Sequence, residues 1–299
     1  MKKRQLGNSE LFVSEISLGG MSLSTNKEAA AEIIDVALHA GINYFDTADL
    51  YDFGMNEEIL GAHLKAHRND IILATKVGNR FEKGVDGWQW DASPSYIKEA
   101  VRASLKRLGT DYIDVYQLHG GTIEDDWDGI IETFEDLQKE GLIRAYGISS
   151  IRPNVLKRFL PASNAKSTMM QYSALDRRSE EWFEFVASEG ASVVTRGTVA
   201  KGLLTNNWEK RLHTKNSYNT YTAEELHTTL AQLVAHYGDL HALALAFNLQ
   251  ESAIASTVIG ASSRKQLEET LHAYEKAAAI TDFEVAKKLT KYEQYTAHR

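Results

Sequence analysis

Residues 41–56 read GINYFDTADLYDFGMN. Ile42, Tyr44 and Phe45 have the apolar and aromatic character of a buried strand. Asp46 arrives where that strand stops. Tyr51 follows five residues later, among the turn formers Asp49, Asp52, Gly54 and Asn56. A carboxylate at a strand end and a phenol on the next loop point to a site at a sheet's carboxyl edge rather than to a core. Two later stretches end in the same way. Residues 71–76, IILATK, close on Lys76, and residues 113–119, IDVYQLH, close on His119.

Outward from these three strands, the chain alternates. Residues 3–6 and 11–14 flank Gly7-Asn8-Ser9 as a short hairpin. Residues 16–20 form a strand ending in Gly19-Gly20, glycines that allow a ligand close to the backbone. Residues 27–40 carry apolar side chains at helical spacing and stop at Gly41. Helices are expected over 56–67, 94–108, 129–140, 153–159, 180–189, 222–237, 241–249 and 264–279. Further strands are expected over 143–149, 167–171, 192–197 and 257–260. Ser93 and Pro94 have the types of an N-cap and a first helical residue. A terminal amphipathic helix is expected over 282–295. The long loop 77–93 carries Phe81, Trp88 and Trp90, and loops of that length are usually functional. The aromatics form an apolar substrate wall or pin the loop to the body of the protein.

Eight strand–helix units with short apolar strands imply a (β/α)8 barrel or an open doubly wound sheet. A dinucleotide-binding open sheet needs G-x-G-x-x-G after its first strand. That place reads GGMSLS here, and no G-x-x-x-x-G-K-[ST] occurs. The expected fold is therefore α/β: a (β/α)8 TIM barrel with an N-terminal β-hairpin and extra C-terminal helices. It forms one domain over residues 1–299.

Composition narrows the function. The 299 residues carry a formal charge of −8, which argues against general nucleic-acid binding. With no cysteine, disulfides and thiolate chemistry are excluded. The basic start has no apolar run behind it, so no secretory signal is expected, and no apolar run reaches membrane-spanning length. The expectation is a cytoplasmic enzyme.

In a barrel, catalytic side chains sit at the carboxyl ends of the strands. Asp46, Lys76 and His119 would close the second, third and fourth strands, with Tyr51 just beyond the second. A phenol holds its proton until about pH 10. An adjacent ammonium stabilises the phenolate, and a carboxylate keeps that ammonium charged and inward. An imidazole orients a carbonyl oxygen or shares a proton with the phenol. The set forms an acid that protonates a carbonyl oxygen while hydride reaches the carbon. No side chain supplies hydride, so a nicotinamide cofactor is implied. Singly, each residue has a bland explanation: packing for Tyr51, snorkelling for Lys76, a helix cap for Asp46. Their coincidence on successive strand ends is what points to chemistry.

In their contexts NYFDTADLYDFGMNEEILG, IILATKVG and DYIDVYQLHG, these four residues resemble the catalytic tetrad of the aldo-keto reductase family. LIRAYGISS, MMQYSALDRR, AKGLLT and VIGASSRKQLEE also resemble family motifs, in order and spacing. The resemblance spans nearly the whole chain and implies a barrel that binds NADPH across its mouth, NADP(H) being favoured over NAD(H). Tyr51 would be the general acid, Lys76 and Asp46 its tuners, and His119 the carbonyl orienter. Ser149 and Gln171 match positions that hold the nicotinamide carboxamide. Ser150 stands where the family usually has Asn. Gly20 and Met21 follow the first strand into the cofactor site. Gly197, Thr198, Val199, Lys201, Gly202 and Leu203 match the segment along the pyrophosphate, without the Pro common at Thr198. Gly260, Ser262, Ser263 and Arg264 match the 2′-phosphate segment, which runs on to Thr270. Gln266 and Glu269 match adenine contacts. Ser262-Ser263 alone also reads as a helix cap. Arg196 replaces an aromatic that stacks on the nicotinamide in many members. A guanidinium there stacks in its turn, reaches a phosphate or forms a surface pair.

The function implied is reduction of an aldehyde or ketone to an alcohol by a monomeric enzyme with a small-molecule carbonyl substrate. The alternative is a cofactor-binding regulatory subunit with the same barrel and little turnover. A metal-dependent hydrolase would need clustered His/Asp ligands, and only His119 and Asp46 offer themselves.

Overall fold

A computed structural model of the chain describes residues 1–82, 84–215 and 217–299. Eight parallel strands close into a barrel in sequence order: β1 (Ile16–Gly19), β2 (Tyr44–Asp46), β3 (Ile72–Val77), β4 (Ile113–Leu118), β5 (Ile143–Ser149), β6 (Ser167–Gln171), β7 (Ser192–Arg196) and β8 (Ile254–Gly260). β8 pairs back onto β1. Around them lie α1 (Lys27–His39), α2 (Met55–Leu64), α3 (Pro94–Leu108), α4 (Trp127–Lys139), α5 (Pro153–Phe159), α6 (Phe183–Ser188), α7 (Trp208–His213), α8 (Ala223–Tyr237), α9 (Leu240–Leu249), α10 (Arg264–Ala277) and α11 (Glu284–Leu289). The helix starts follow local chemistry. The Ser93 hydroxyl accepts from Tyr96 N with Pro94 behind it, and Thr222 and Glu225 form a reciprocal capping box on α8.

Strand periodicity decides what faces the barrel axis, because successive side chains alternate. One parity of the strands (Tyr44, Ile72, Ala74, Val115, Ala145, Met169, Val194 and Ala255) forms a single inner core. The other parity, including Phe45, Leu73, Val77, Tyr116 and Tyr146, packs outward into the helices. Counting by twos along the inner parity gives Asp46, Lys76, Ser149, Gln171 and Arg196 at the carboxyl ends. His119, one residue past β4, follows the same parity from Val115. The inward set thus turns from apolar to polar toward the mouth. The opposite end is plugged by the N-terminal hairpin, Lys3–Gln5 paired with Phe12–Ser14. Its Leu6, Leu11 and Val13 join the inner core. Arg4 bonds the carbonyls of Leu249, Glu251 and Ile254 at 2.6–3.2 Å, which fixes the plug.

Two local expectations give way, and a third segment carries elements that the sequence does not mark. The terminal helix over 282–295 is only Glu284–Leu289. Thr290 is extended (φ −105°, ψ 146°), and the chain beyond it is drawn straight by aromatic contacts. Tyr292 and Tyr295 lie under the guanidinium groups of Arg177 and Arg178 at 5.1 and 4.9 Å. Tertiary contacts override helical spacing there. The loop 77–93 contains a small antiparallel ladder, Asn79–Arg80 with Gln89–Trp90. The segment after β7 contains α7 and a second ladder, Ser217–Tyr218 with Tyr221–Thr222. Two-residue strands are too short to show alternation in a sequence.

Candidate active site

β2, β3 and β4 are neighbours, so their ends meet at one side of the mouth. The fully buried Lys76 donates from Nζ to Asp46 Oδ2 at 2.7 Å and to the Thr47 carbonyl at 2.7 Å. The same Nζ lies 5.2 Å from the centre of the Tyr51 ring. Tyr51 and His119 meet edge to face, centroids 5.9 Å apart and planes at 82°. The His119 backbone N–H is pinned to the Val77 carbonyl at 2.7 Å. Its Nδ1 is buried without a partner among the described residues, so the ring meets the cleft through Nε2.

Electrostatics assign the charges. Burial works against the Lys76 charge, but Asp46 and Tyr51 outweigh it and hold the ammonium above the usual lysine range. Burial pushes the Asp46 carboxyl up while Lys76 pulls it back, and the 2.7 Å contact keeps the pair ionised. Burial, then Lys76 and Arg196, push the His119 imidazole down to about 3. His119 is therefore neutral at ordinary pH and serves as a hydrogen-bonding ring, not as an imidazolium acid.

The tetrad rests on polar residues that the sequence reading did not single out, although the opening stretch contains them. The Thr47 hydroxyl donates to Asn56 Oδ1 at 2.6 Å, and Asn56 Nδ2 donates to the Gly20 carbonyl at 2.7 Å, tying the ends of β1 and β2 to α2. Gly20 is buried, and a Cβ there would sit 2.3 Å from Asn56 Oδ1. Its glycine serves this internal contact; Gly19 is the one that lines the cleft. After Tyr51 the chain runs left-handed through Asp52, Phe53 and Gly54 (φ 49°, 53° and 88°), a reversal that only Gly54 adopts freely.

A cleft of about 480 Å³ opens over the tetrad, walled by Met21, Leu50, Trp88, Ser149, Met169, Arg196, Gly197 and Val258 among others. A neighbouring pocket of about 300 Å³ shares Trp88, His119, Ser149 and Arg196 with it and adds Trp90, Ser150 and Arg152. Trp90 is held by Asp125 at 3.0 Å and lies against Gly78 and Gly120, so it pins its loop as well as lining the pocket. Phe81 packs on Phe53 and is not among the lining residues. Arg196 Nη1 donates to Gln171 Oε1 at 2.9 Å, and Gln171 Nε2 donates to Asp176 Oδ2 at 2.8 Å.

On the other side a trough of about 480 Å³ shares Ser22 and Gly260 with the cleft. It is lined by Val199, Lys201, Gly202, Ser263, Gln266, Glu269 and Thr270, all expected there, and also by Arg211, His241, Asn207 and Lys265. Arg211 lies on the short helix α7, which no sequence signal marked. Thr198, Leu203, Ser262 and Arg264, also expected, are not among its lining residues. Leu203 and Thr198 are buried. Arg264 is turned outward onto Glu268 at 2.7 Å, while Lys265, its neighbour, faces the trough. Ser262 bonds Gln266 Oε1 at 3.0 Å, and Ser263 caps α10.

Residues 15–291 match the family model described as the Aldo/keto reductase family. The chain is 51% identical over its whole length, and that of the relative, to the uncharacterized oxidoreductase YqkF of Bacillus subtilis. It is 30% identical to the NADH-specific methylglyoxal reductase of Escherichia coli, over 91% of this chain and 93% of that protein. The aldo-keto reductase AKR11C1 of Bacillus halodurans in its holo form superposes with a TM-score of 0.93 at 51% identity, over 100% of this chain and 99% of that one. The apo form of the same protein superposes with 0.85.

Proposed function

This chain belongs to the aldo/keto reductase family, and we propose that it reduces an aldehyde or ketone to an alcohol, with NADPH as the hydride donor and Tyr51 as the proton donor. The observation that carries the reading is the buried Lys76–Asp46 pair set under the Tyr51 ring, beside a neutral imidazole, at an open barrel mouth. The residues present fit a dinucleotide. A continuous trough crosses the mouth, amide and hydroxyl groups (Gln171, Ser149) lie at strand ends, and Lys201, Arg211 and Lys265 bring cations to the far end. Bound there, the cofactor would supply hydride to the carbonyl carbon.

The protein's own part is to place the carbonyl oxygen between the Tyr51 hydroxyl and His119 Nε2, both as donors, and to deliver the Tyr51 proton as negative charge grows on that oxygen. The Lys76 ammonium stabilises the phenolate left behind, and Asp46 keeps that ammonium ionised and fixed. Burial of the pair strengthens its field at the phenol. Among the described residues no group of three His, Cys, Asp or Glu side chains is placed to hold a metal ion.

The reading takes residues 1–299 as one domain, acting as a monomer in the cytoplasm on a small carbonyl compound. Among the described residues no helix is long and apolar enough to cross a membrane. The test is steady-state oxidation of NADPH and of NADH against a panel of aldehydes and ketones. Turnover that depends on the carbonyl and is faster with NADPH is the expected result. Tight cofactor binding with no turnover across the panel would favour a regulatory subunit instead.

A further inference from the structure

Asp49 stands two residues before Tyr51 and takes no part in the chemistry above. Its side chain is 1% exposed, no side chain bonds either carboxylate oxygen among the described residues, and the Leu50 backbone N–H is the donor turned toward it, too poorly aligned for a full hydrogen bond. A buried carboxylate is ordinarily ion-paired or hydrogen-bonded, because an unpaired buried charge loses its hydration with nothing in return.

The surroundings explain why Asp49 is left over. The groups that face it come from every element packed around it: Glu57 from α2, Lys76 from β3, Tyr96 and Arg107 from α3, and Tyr116 from β4. Both cations make their carboxylate hydrogen bonds elsewhere, and their charges only partly offset the burial of Asp49. Arg107 Nε is bonded to Glu57 Oε2 at 2.6 Å, and Lys76 Nζ to Asp46 at 2.7 Å. The other Glu57 oxygen accepts from Thr75 at 2.6 Å. Glu57 adds a like charge, and the Tyr116 hydroxyl is itself buried without a partner. Burial first, then Glu57, hold the Asp49 carboxyl well above the usual carboxylate range. The backbone meanwhile ties this residue to the active-site strand: the Asp49 N–H meets the Lys76 carbonyl at 3.3 Å, and the Tyr51 N–H meets the Ala48 carbonyl at 3.2 Å.

We propose that Asp49 is a positioning residue for Tyr51: a carboxyl packed without a side-chain partner behind the 47–53 loop, whose burial keeps that loop seated on β3. Ionisation would draw the side chain toward water and lift the proton donor away from Lys76 and His119. The sign of the linkage follows. The folded chain keeps this proton to higher pH than the unfolded chain does. The stability it contributes is complete below the ordinary aspartate range near pH ~3.9 and is lost as pH rises through the folded-state value.

The test compares wild type with Asp49→Asn, which copies the shape of the neutral acid and does not ionise. The variant is expected to melt about 2–4 °C above wild type at pH 8, the gap closing toward pH 5. The alkaline limb of kcat/KM for carbonyl reduction is expected to move to higher pH. A gap that does not change with pH, or a variant that melts lower at pH 8, overturns the neutral acid. Coincident alkaline limbs overturn the positioning role. If the variant does not fold, infrared spectra of protein labelled with carboxyl-13C aspartate decide. A protonated-carboxyl band at pH 5, where an ordinary aspartate is ionised, that survives Asp46→Asn supports the proposal, and its absence refutes it. The kinetic arm rests on the reductase reading. A chain that reduces no carbonyl defeats that reading and leaves the melting comparison to judge Asp49.

Discussion

Lys76 shows how strongly single residues are coupled in this site. It is wholly buried, and its charge is tolerable only because Asp46 and the Thr47 carbonyl meet it at 2.7 Å. Lys76→Met would strand the Asp46 carboxylate, with an expected loss of about 3–5 kcal/mol in urea unfolding. Adding Asp46→Asn should restore most of that stability and none of the turnover, because the phenol still lacks its ammonium. A double variant as active as wild type would mean that the pair serves folding alone. His119 makes a separate prediction. The unfolded chain takes up this proton below about pH 6.5, whereas the folded chain holds off until about 3. Stability from the neutral ring is therefore complete above that window and is lost as pH falls through it. His119→Gln should flatten the decline in unfolding free energy between about pH 6.5 and 4. An unchanged slope would assign the decline to other groups.

At the scale of elements, the barrel strands were legible because each is a short apolar run bounded by turn formers, and because one parity ends in Asp, Lys, Ser, Gln or Arg. That is why the tetrad could be named from strand ends. Three features were not legible. Thr47 and Asn56 look like loop residues in a sequence and act only through a buried contact across β1, β2 and α2. The two-residue ladders and α7 are set by tertiary packing, α7 and the 217–222 ladder lying against α8, which is why Arg211 was missed at the trough. The last helix was overextended because the tyrosines at 292 and 295 fit a helical stripe but bind arginines instead. The Thr47–Asn56 contact makes its own prediction. Asn56→Ala leaves buried partners unsatisfied and should cost about 1–3 kcal/mol in chemical unfolding. A loss under about 0.5 kcal/mol, the scatter of surface changes, would show that the contact contributes little.

At the scale of the whole molecule, a chain of net charge −8 gathers Lys201, Arg211 and Lys265 along one side of its mouth. The local field there opposes the overall charge and suits an anionic ligand. Arg264 is held by Glu268 at 2.7 Å, and Lys265 faces the trough with a looser contact to Glu269 at 3.8 Å, so on the proposed reading Lys265 is the cation free to meet a 2′-phosphate. Lys265→Ala should raise KM for NADPH by roughly tenfold, the equivalent of ~1.4 kcal/mol, and leave KM for NADH nearly unchanged. Equal effects on both cofactors would remove Lys265 from that role. The proposed function rests on one arrangement, the Tyr51 phenol set beside a buried Lys76–Asp46 pair. The most direct measurement is single-turnover carbonyl reduction by Tyr51→Phe, alongside its dissociation constant for NADPH. The predicted result is a rate lower by roughly 10²–10⁴-fold with cofactor affinity retained. A variant that still turns over within a few-fold of wild type would contradict the assignment of the proton to Tyr51.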